Sequence, residues 1–207
     1  MNVFVAGATG RVGQFLIDKL VKKGHFVYAG ARSELEIKIS EQVQPVHLDL
    51  HEDVAHLAKL LKDSKAVYFV AGSRGKDLLQ TDLFGAVKLM QAAEQEGIGR
   101  FIQLSSLHAL VPENWSESLT DYNIAKYFSD SWLENNTDLD YTILQPGMLK
   151  EQPGTGLMTT EIDKRSENSI EDVAEVLAEL LERSNTYKKV ILMGSGTIPI
   201  NEALAKL

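Results

Sequence analysis

Tyr122 and Lys126 stand four residues apart in Asp121-Tyr-Asn-Ile-Ala-Lys126, a segment of helical spacing, so the phenol and the ammonium share one face. An ammonium beside a phenol favours the phenolate and lowers a pKa that starts near about 10. A tyrosine tuned in this way exchanges a proton with a substrate hydroxyl or carbonyl near neutral pH. By itself the pair is common on solvated helix faces, and its setting gives it weight. It follows an apolar strand, Phe101-Ile-Gln-Leu104, that ends in Ser105-Ser106, and a serine hydroxyl there can bond the same reacting oxygen.

A second cluster lies near residue 1. Val3 to Ala6 is an apolar run; Gly7, Ala8, Thr9, Gly10, Arg11, Val12 and Gly13 follow; then Phe15, Leu16, Ile17 and Leu20 repeat at helical spacing. Glycines at three-residue intervals let a backbone approach a pyrophosphate closely. The helix behind them aims unpaired N–H groups and the positive end of its dipole at that phosphate. Strand, glycines and helix come in the order that dinucleotide binding requires.

The elements that must position these residues alternate along the chain. Strands are expected at His25–Ala31, Val43–Leu48, Lys65–Ala71, Phe101–Leu104, Tyr141–Leu144 and Val190–Met193. Helices are expected over Glu52–Lys62, Asp77–Glu96, Asp121–Asn135 and Ile170–Glu182. This alternation predicts an α/β fold: a single doubly wound parallel sheet with helices on both faces, in one domain spanning 1–207. Lys150–Ser169 breaks the rhythm, being polar, glycine-containing and aperiodic. Its length and its place after a strand predict a substrate loop that is mobile without ligand. The helix Asp121–Asn135 carries apolar residues on two faces, Ala125 and Leu133 on one, Ile124, Phe128 and Trp132 on the other, which leaves monomer or homodimer open.

Composition removes other classes of function. A formal net charge of −8 without any basic run argues against nucleic-acid binding. The absence of cysteine excludes disulfides, thiolate metal sites and cysteine nucleophiles. His47, His51 and His56 are too scattered to suggest a metal site. No apolar run reaches the length of a membrane span, and residues 1–20 lack a targeting pattern, so a cytoplasmic location without a membrane partner is expected.

Taken together, Gly7-Ala-Thr-Gly10-Arg-Val-Gly13, Ser105-Ser106, Tyr122-Asn-Ile-Ala-Lys126 and Pro146-Gly147 resemble the short-chain dehydrogenase/reductase superfamily. The resemblance is greatest to its atypical NAD(P)-binding branch, with the small flavin-reductase/biliverdin-reductase-B-like and NmrA-like proteins. It covers nearly the whole chain. It implies that Tyr122 is a general acid/base, that Lys126 lowers its pKa and binds the nicotinamide ribose, and that a serine orients the substrate. By analogy with extended members that serine is Ser106 before Ser105, and the sequence leaves both open. Many atypical members have lost the Tyr–Lys pair, which this chain keeps. The chain lacks the larger C-terminal region of the sugar-nucleotide enzymes, which counts against an epimerase or dehydratase of that type.

Cofactor choice turns on the end of the second strand. An NAD site places an acid there to bond the ribose 2′-OH, whereas this chain has Arg32-Ser33, and a guanidinium suits a 2′-phosphate. NADP is therefore expected, with NAD kept possible by Glu34. Asp49-Leu50 resembles the adenine-contacting acid, Ala71-Gly72-Ser73 a turn of small residues past which the cofactor runs, and Pro146-Gly147 the loop meeting the carboxamide. His108 suggests a proton relay or a pocket wall, and Leu110, Trp115, Met148 and Leu149 an apolar wall for a small-molecule substrate. The expected activity is NADP-dependent hydride transfer to or from a small carbonyl or alcohol, or a flavin- or quinone-type acceptor. The alternatives are a non-catalytic NADP-binding redox sensor of NmrA-like type and an isomerase or lyase using transient oxidation.

Overall fold

An apolar run with no polar alternation must be covered on both faces, and Val3–Ala6 is such a run. In the computed structural model, which describes residues 1–163 and 165–207, its side chains divide between two cores. Val3 and Val5 enter one, Phe4 and Ala6 the other, and all four are fully buried.

In chain order the first half comprises β1 (Asn2–Ala6), α1 (Arg11–Lys22), β2 (Phe26–Ala31), β3 (Val43–His47), α2 (Val54–Leu60), β4 (Ala66–Phe69), α3 (Ala86–Gln95) and β5 (Arg100–Leu104). The second half comprises α4 (Thr120–Asn135), β6 (Asp140–Pro146), β7 (Met148–Lys150), β8 (Leu157–Thr159), β9 (Glu167–Ser169), α5 (Ile170–Glu179), β10 (Lys189–Pro199) and α6 (Ile200–Ala205). The main sheet runs β3-β2-β1-β4-β5-β6-β10-β8 and is parallel except at its last pair. Helices α1, α5 and α6 cover the face of Val3 and Val5; α2, α3 and α4 cover the face of Phe4 and Ala6. This is the expected doubly wound sheet.

The helix α1 shows how local sequence serves the layers. Leu16, Ile17 and Leu20 face the core, Lys19 and Lys22 occupy the last turn where cations suit the dipole, and Gly24 closes the end at φ +83°. Lys19 then pairs with Glu175 of α5 at 2.6 Å.

Three departures from the sequence reading matter. The helix expected over Asp77–Glu96 is a π-helical segment, Leu78–Gly85, followed by α3. Within it Asp82 turns inward, 1% exposed, and accepts the Ser73 N–H at 2.9 Å. Two C-terminal features went unread: β10 runs on to Pro199, and α6 follows it.

The third departure is in 150–169, expected as an irregular substrate loop that is mobile without ligand. Its backbone forms β8, antiparallel to β10 at the sheet edge, and β7 pairs with β9 in a separate two-stranded sheet. The Asp172 carboxylate of α5 accepts the N–H groups of Thr155 (2.9 Å) and Gly156 (2.8 Å), and Glu171 accepts that of Gly154 at 3.0 Å. Strands of three residues are too short to leave a periodic trace. We expect the Thr155 and Gly156 amides to be protected from hydrogen exchange in the free protein and to lose that protection in Asp172→Ala. Equal exchange in both proteins would refute the pinning.

The second apolar face of α4 is solvent-facing in the single chain, with Phe128 56% and Trp132 37% exposed. Among the described residues no helix is long and apolar enough to cross a membrane.

Candidate functional site

A cleft of about 1370 Å³ opens at the carboxyl ends of the strands, where the sheet order reverses between β1 and β4. It exceeds the usual size of a small-ligand pocket, so a dinucleotide and a second molecule fit together.

Its floor is the glycine turn. Gly7 lies at φ +98°, and a Cβ there would stand 2.6 Å from the Ala71 nitrogen. A Cβ on Gly13 would stand 2.2 Å from the Gly7 carbonyl oxygen. The turn therefore folds back onto the start of α1, which only glycine allows. Gly10, the residue before α1, gives no side-chain cap, and the first turn carries no acid. The helix thus presents unpaired N–H donors and a positive dipole end at the cleft floor, a fit for a pyrophosphate. Gly7, Thr9, Gly10, Arg11 and Val12 line the cleft, whereas Ala8 and Gly13 lie outside its lining.

One end of the cleft is lined by Arg32 and Ser33 after β2, by Asp49 and Leu50 after β3, and by Ala71, Gly72 and Ser73 after β4. Glu34 lies outside the lining and bonds His47 Nδ1 at 2.8 Å. That pairing lowers the Glu34 pKa and raises the His47 pKa, the side-chain hydrogen bond being the main cause of both. The Ser73 hydroxyl is buried without a partner among the described residues. Such an orphan donor suits a ligand group. Sequence reasoning missed Arg74, Lys76, Thr81 and Asp82, which also line the cleft. The two cations directly after Ala71-Gly72-Ser73 were the available signal.

At the other end Ser105, Ser106, Tyr122, Lys126, Pro146 and Gly147 come together. The two serines part company. Ser105 is 5% exposed, and its hydroxyl donates to Asp130 Oδ2 at 2.6 Å. The Ser106 hydroxyl has no protein partner among the described residues and borders the cleft. Lys126 is 3% exposed; its Nζ donates to the Leu104 carbonyl at 3.3 Å and lies 5.8 Å from the centre of the Tyr122 ring.

Trp115, Leu119, Met148 and Leu149 supply apolar wall, with Asn114, Ser116 and Arg165 among them. Leu110 and His108 lie outside the lining; His108 is buried at φ +56°.

A doubly wound sheet with an uncapped helix behind a glycine turn at its switch point defines a Rossmann dinucleotide-binding protein. Residues 7–184 match the family model described as NAD(P)H-binding. The chain belongs to that NAD(P)H-binding family, whose members are oxidoreductase- or epimerase-like. It is 38% identical to YhfK of Bacillus subtilis, which is called an uncharacterized sugar epimerase, over the full length of both chains. It is 34% identical to the UPF0659 protein YMR090W of Saccharomyces cerevisiae, covering 100% of this chain and 99% of that one. The crystal structure of the oxidoreductase ylbE from Lactococcus lactis superimposes with a TM-score of 0.97 at 43% identity, covering 100% of this chain and 96% of the other.

Proposed function

We propose that the protein is an NADP-dependent reductase or dehydrogenase acting on a small carbonyl or alcohol, or on a flavin- or quinone-type acceptor. The observation that carries this reading is that Tyr122, Lys126 and Ser106 border the same cleft as the glycine turn. The nicotinamide supplies hydride exchange at C4 when bound. The protein's part is orientation and proton transfer. Ser106, its hydroxyl uncommitted, donates to the substrate oxygen. Tyr122 exchanges a proton with that oxygen as general acid/base. Lys126, held by the Leu104 carbonyl, contacts the cofactor ribose beside the phenol. Arg11, Gly10 and the first-turn N–H groups hold the pyrophosphate, Asp49 and Leu50 the adenine, and Pro146-Gly147 the carboxamide. A panel of carbonyls, quinones and flavins, followed by NADPH oxidation, tests the assignment. NADPH binding with no turnover on any of them would favour the redox-sensor reading.

The preference for NADP rests on charge. Arg32, Arg74 and Lys76 are cations in the cleft lining, and Glu34, the acid that would serve NAD, is spent on His47. Arg32→Ala is expected to narrow the preference for NADPH over NADH by about 1.5–3 kcal/mol, the worth of one charge-assisted hydrogen bond. Calorimetric titration with both cofactors reads this directly. Unchanged affinities would make Arg32 a surface residue.

The name of YhfK favours one second reading, an epimerase using transient oxidation on the same scaffold. Turnover with no net consumption of NADPH, and with cofactor retained through gel filtration, would distinguish it.

A further inference from the structure

Beneath Tyr122, Lys126 and Ser105 lies a carboxylate that the mechanism does not use. Asp130 is on α4, four residues beyond Lys126 and eight beyond Tyr122, on the same helix face. It is 0% exposed. Three side chains converge on it, from β5, from the residue after β5 and from β6. Gln103 Nε2 donates to Oδ1 at 2.6 Å, the Ser105 hydroxyl to Oδ2 at 2.6 Å, and Gln145 Nε2 to Oδ2 at 2.9 Å. All three can donate, so an ionised carboxylate finds a donor for each of these contacts. Gln103 gives its amide N–H groups to Asp130 and Ser129, and its own Oε1 stays buried without a partner among the described residues.

The counterpart of that charge is Lys126, on the same face of α4. Lys126 is 3% exposed and among the described residues has one acceptor, the neutral Leu104 carbonyl, at the long distance of 3.3 Å. A buried ammonium of this kind needs an anion nearby. Lys126, one helical turn before Asp130 on α4, acts on it across more than an ion-pair distance and lowers its pKa less than the three hydrogen bonds do; the side chains bonded to Asp130 are the neutral Gln103, Ser105 and Gln145.

We propose that Asp130 is a positioning residue of the site: its ionised carboxylate is the buried counter-charge of Lys126 and, by gripping Ser105 and Gln145, holds the ends of β5 and β6 against α4 where the cofactor ribose must sit. The proposal rests on reading Lys126 as a cofactor contact. Asp130 acts through Lys126 and Ser105 and touches no reacting atom. Burial pushes its pKa up to about 6, against the pull of its three donors and of Lys126. The sign follows. Because the folded value is raised, the carboxylate takes up a proton as pH falls through about 6, and the counter-charge is then lost.

Two measurements on the full-length protein test this. The first is calorimetric NADP⁺ binding by wild type and Asp130→Asn across pH 5 to 8, reported as a ratio of affinities so that ionisation of the ligand cancels. Wild type is expected to bind about tenfold more tightly at pH 8, the scale of one lost charge partner, and the ratio to fall toward one at pH 5. A ratio near one at pH 8, or one independent of pH as a purely structural role would give, overturns the proposal. The second measurement does not depend on Asp130→Asn folding, or on cofactor. The carboxyl carbon of Asp130 is followed by NMR in wild type and Lys126→Met. Its titration midpoint is expected to rise above about 6 when the ammonium is removed. An unmoved midpoint overturns the pairing. If the midpoint moves while Lys126→Met leaves NADP⁺ affinity intact, the pairing stands and the cofactor role of Lys126 is what fails.

Discussion

Tyr122→Phe is expected to lower turnover of a carbonyl substrate by about 10²–10⁴-fold, the usual contribution of a positioned acid or base. NADPH affinity is expected to stay close to wild type, because the role proposed for the lost hydroxyl is toward substrate and not cofactor. Lys126→Ala differs: it should weaken cofactor binding and turnover together, since the ammonium is assigned to the ribose and also stands 5.8 Å from the phenol ring centre. The pair of variants separates proton transfer from cofactor placement. Steady-state kinetics with a calorimetric cofactor titration measures both. Wild-type turnover of a carbonyl by Tyr122→Phe would end the acid/base assignment. With a flavin or quinone, which can take its proton from water, a small effect is the expected result.

Gly13→Ala is the second large effect. Its new methyl would stand 2.2 Å from the Gly7 carbonyl oxygen and 3.1 Å from the Ala8 Cα, both backbone atoms that cannot swing aside. The glycine turn must therefore lift from α1. Overpacking of this kind costs about 1–3 kcal/mol. For a chain of this size that is a loss of roughly 2–12 °C in Tm. Because the displaced atoms form the cleft floor proposed to hold the phosphates, NADPH affinity should fall at least about tenfold as well. Gly99→Ala is the control: its nearest new contact is 4.0 Å away, at Asp140 Oδ2, and neither property should change. Wild-type cofactor affinity in Gly13→Ala would mean that the turn does not hold the phosphates.

Much of this arrangement was legible because the relevant signals are local. Three glycines, an apolar run and an amphipathic repeat predict a strand–turn–helix without reference to the rest of the chain. The Tyr122–Lys126 spacing needs only the helical period. What escaped depends on contacts distant in sequence. Ser105 and Ser106 are indistinguishable as neighbouring residues; the difference lies in Asp130, 25 residues from Ser105, which takes one hydroxyl and leaves the other to the cleft. Glu34 looked available to a ribose, and its engagement with His47 is 13 residues away. The order in 154–159 was hidden for the same reason, since its anchor, Asp172, lies on the next helix. The π-helical turn at Leu78–Gly85 carries an ordinary helical composition, and the inward Asp82 that accompanies it is seen only once β4 is in place.

The anchoring of Thr155 and Gly156 by Asp172 has a consequence for exchanging parts between relatives. The backbone of 154–156 is held from outside the cleft, by the first turn of α5. A transplant of 150–160 alone would carry backbone donors into a host whose acceptor need not match. The portable cassette runs from Met148 through Asp172, with the carboxylate travelling alongside the amides that it holds. Met148, Leu149, Ser166 and Glu167, which line the cleft, then travel as a block while the glycine turn stays in place.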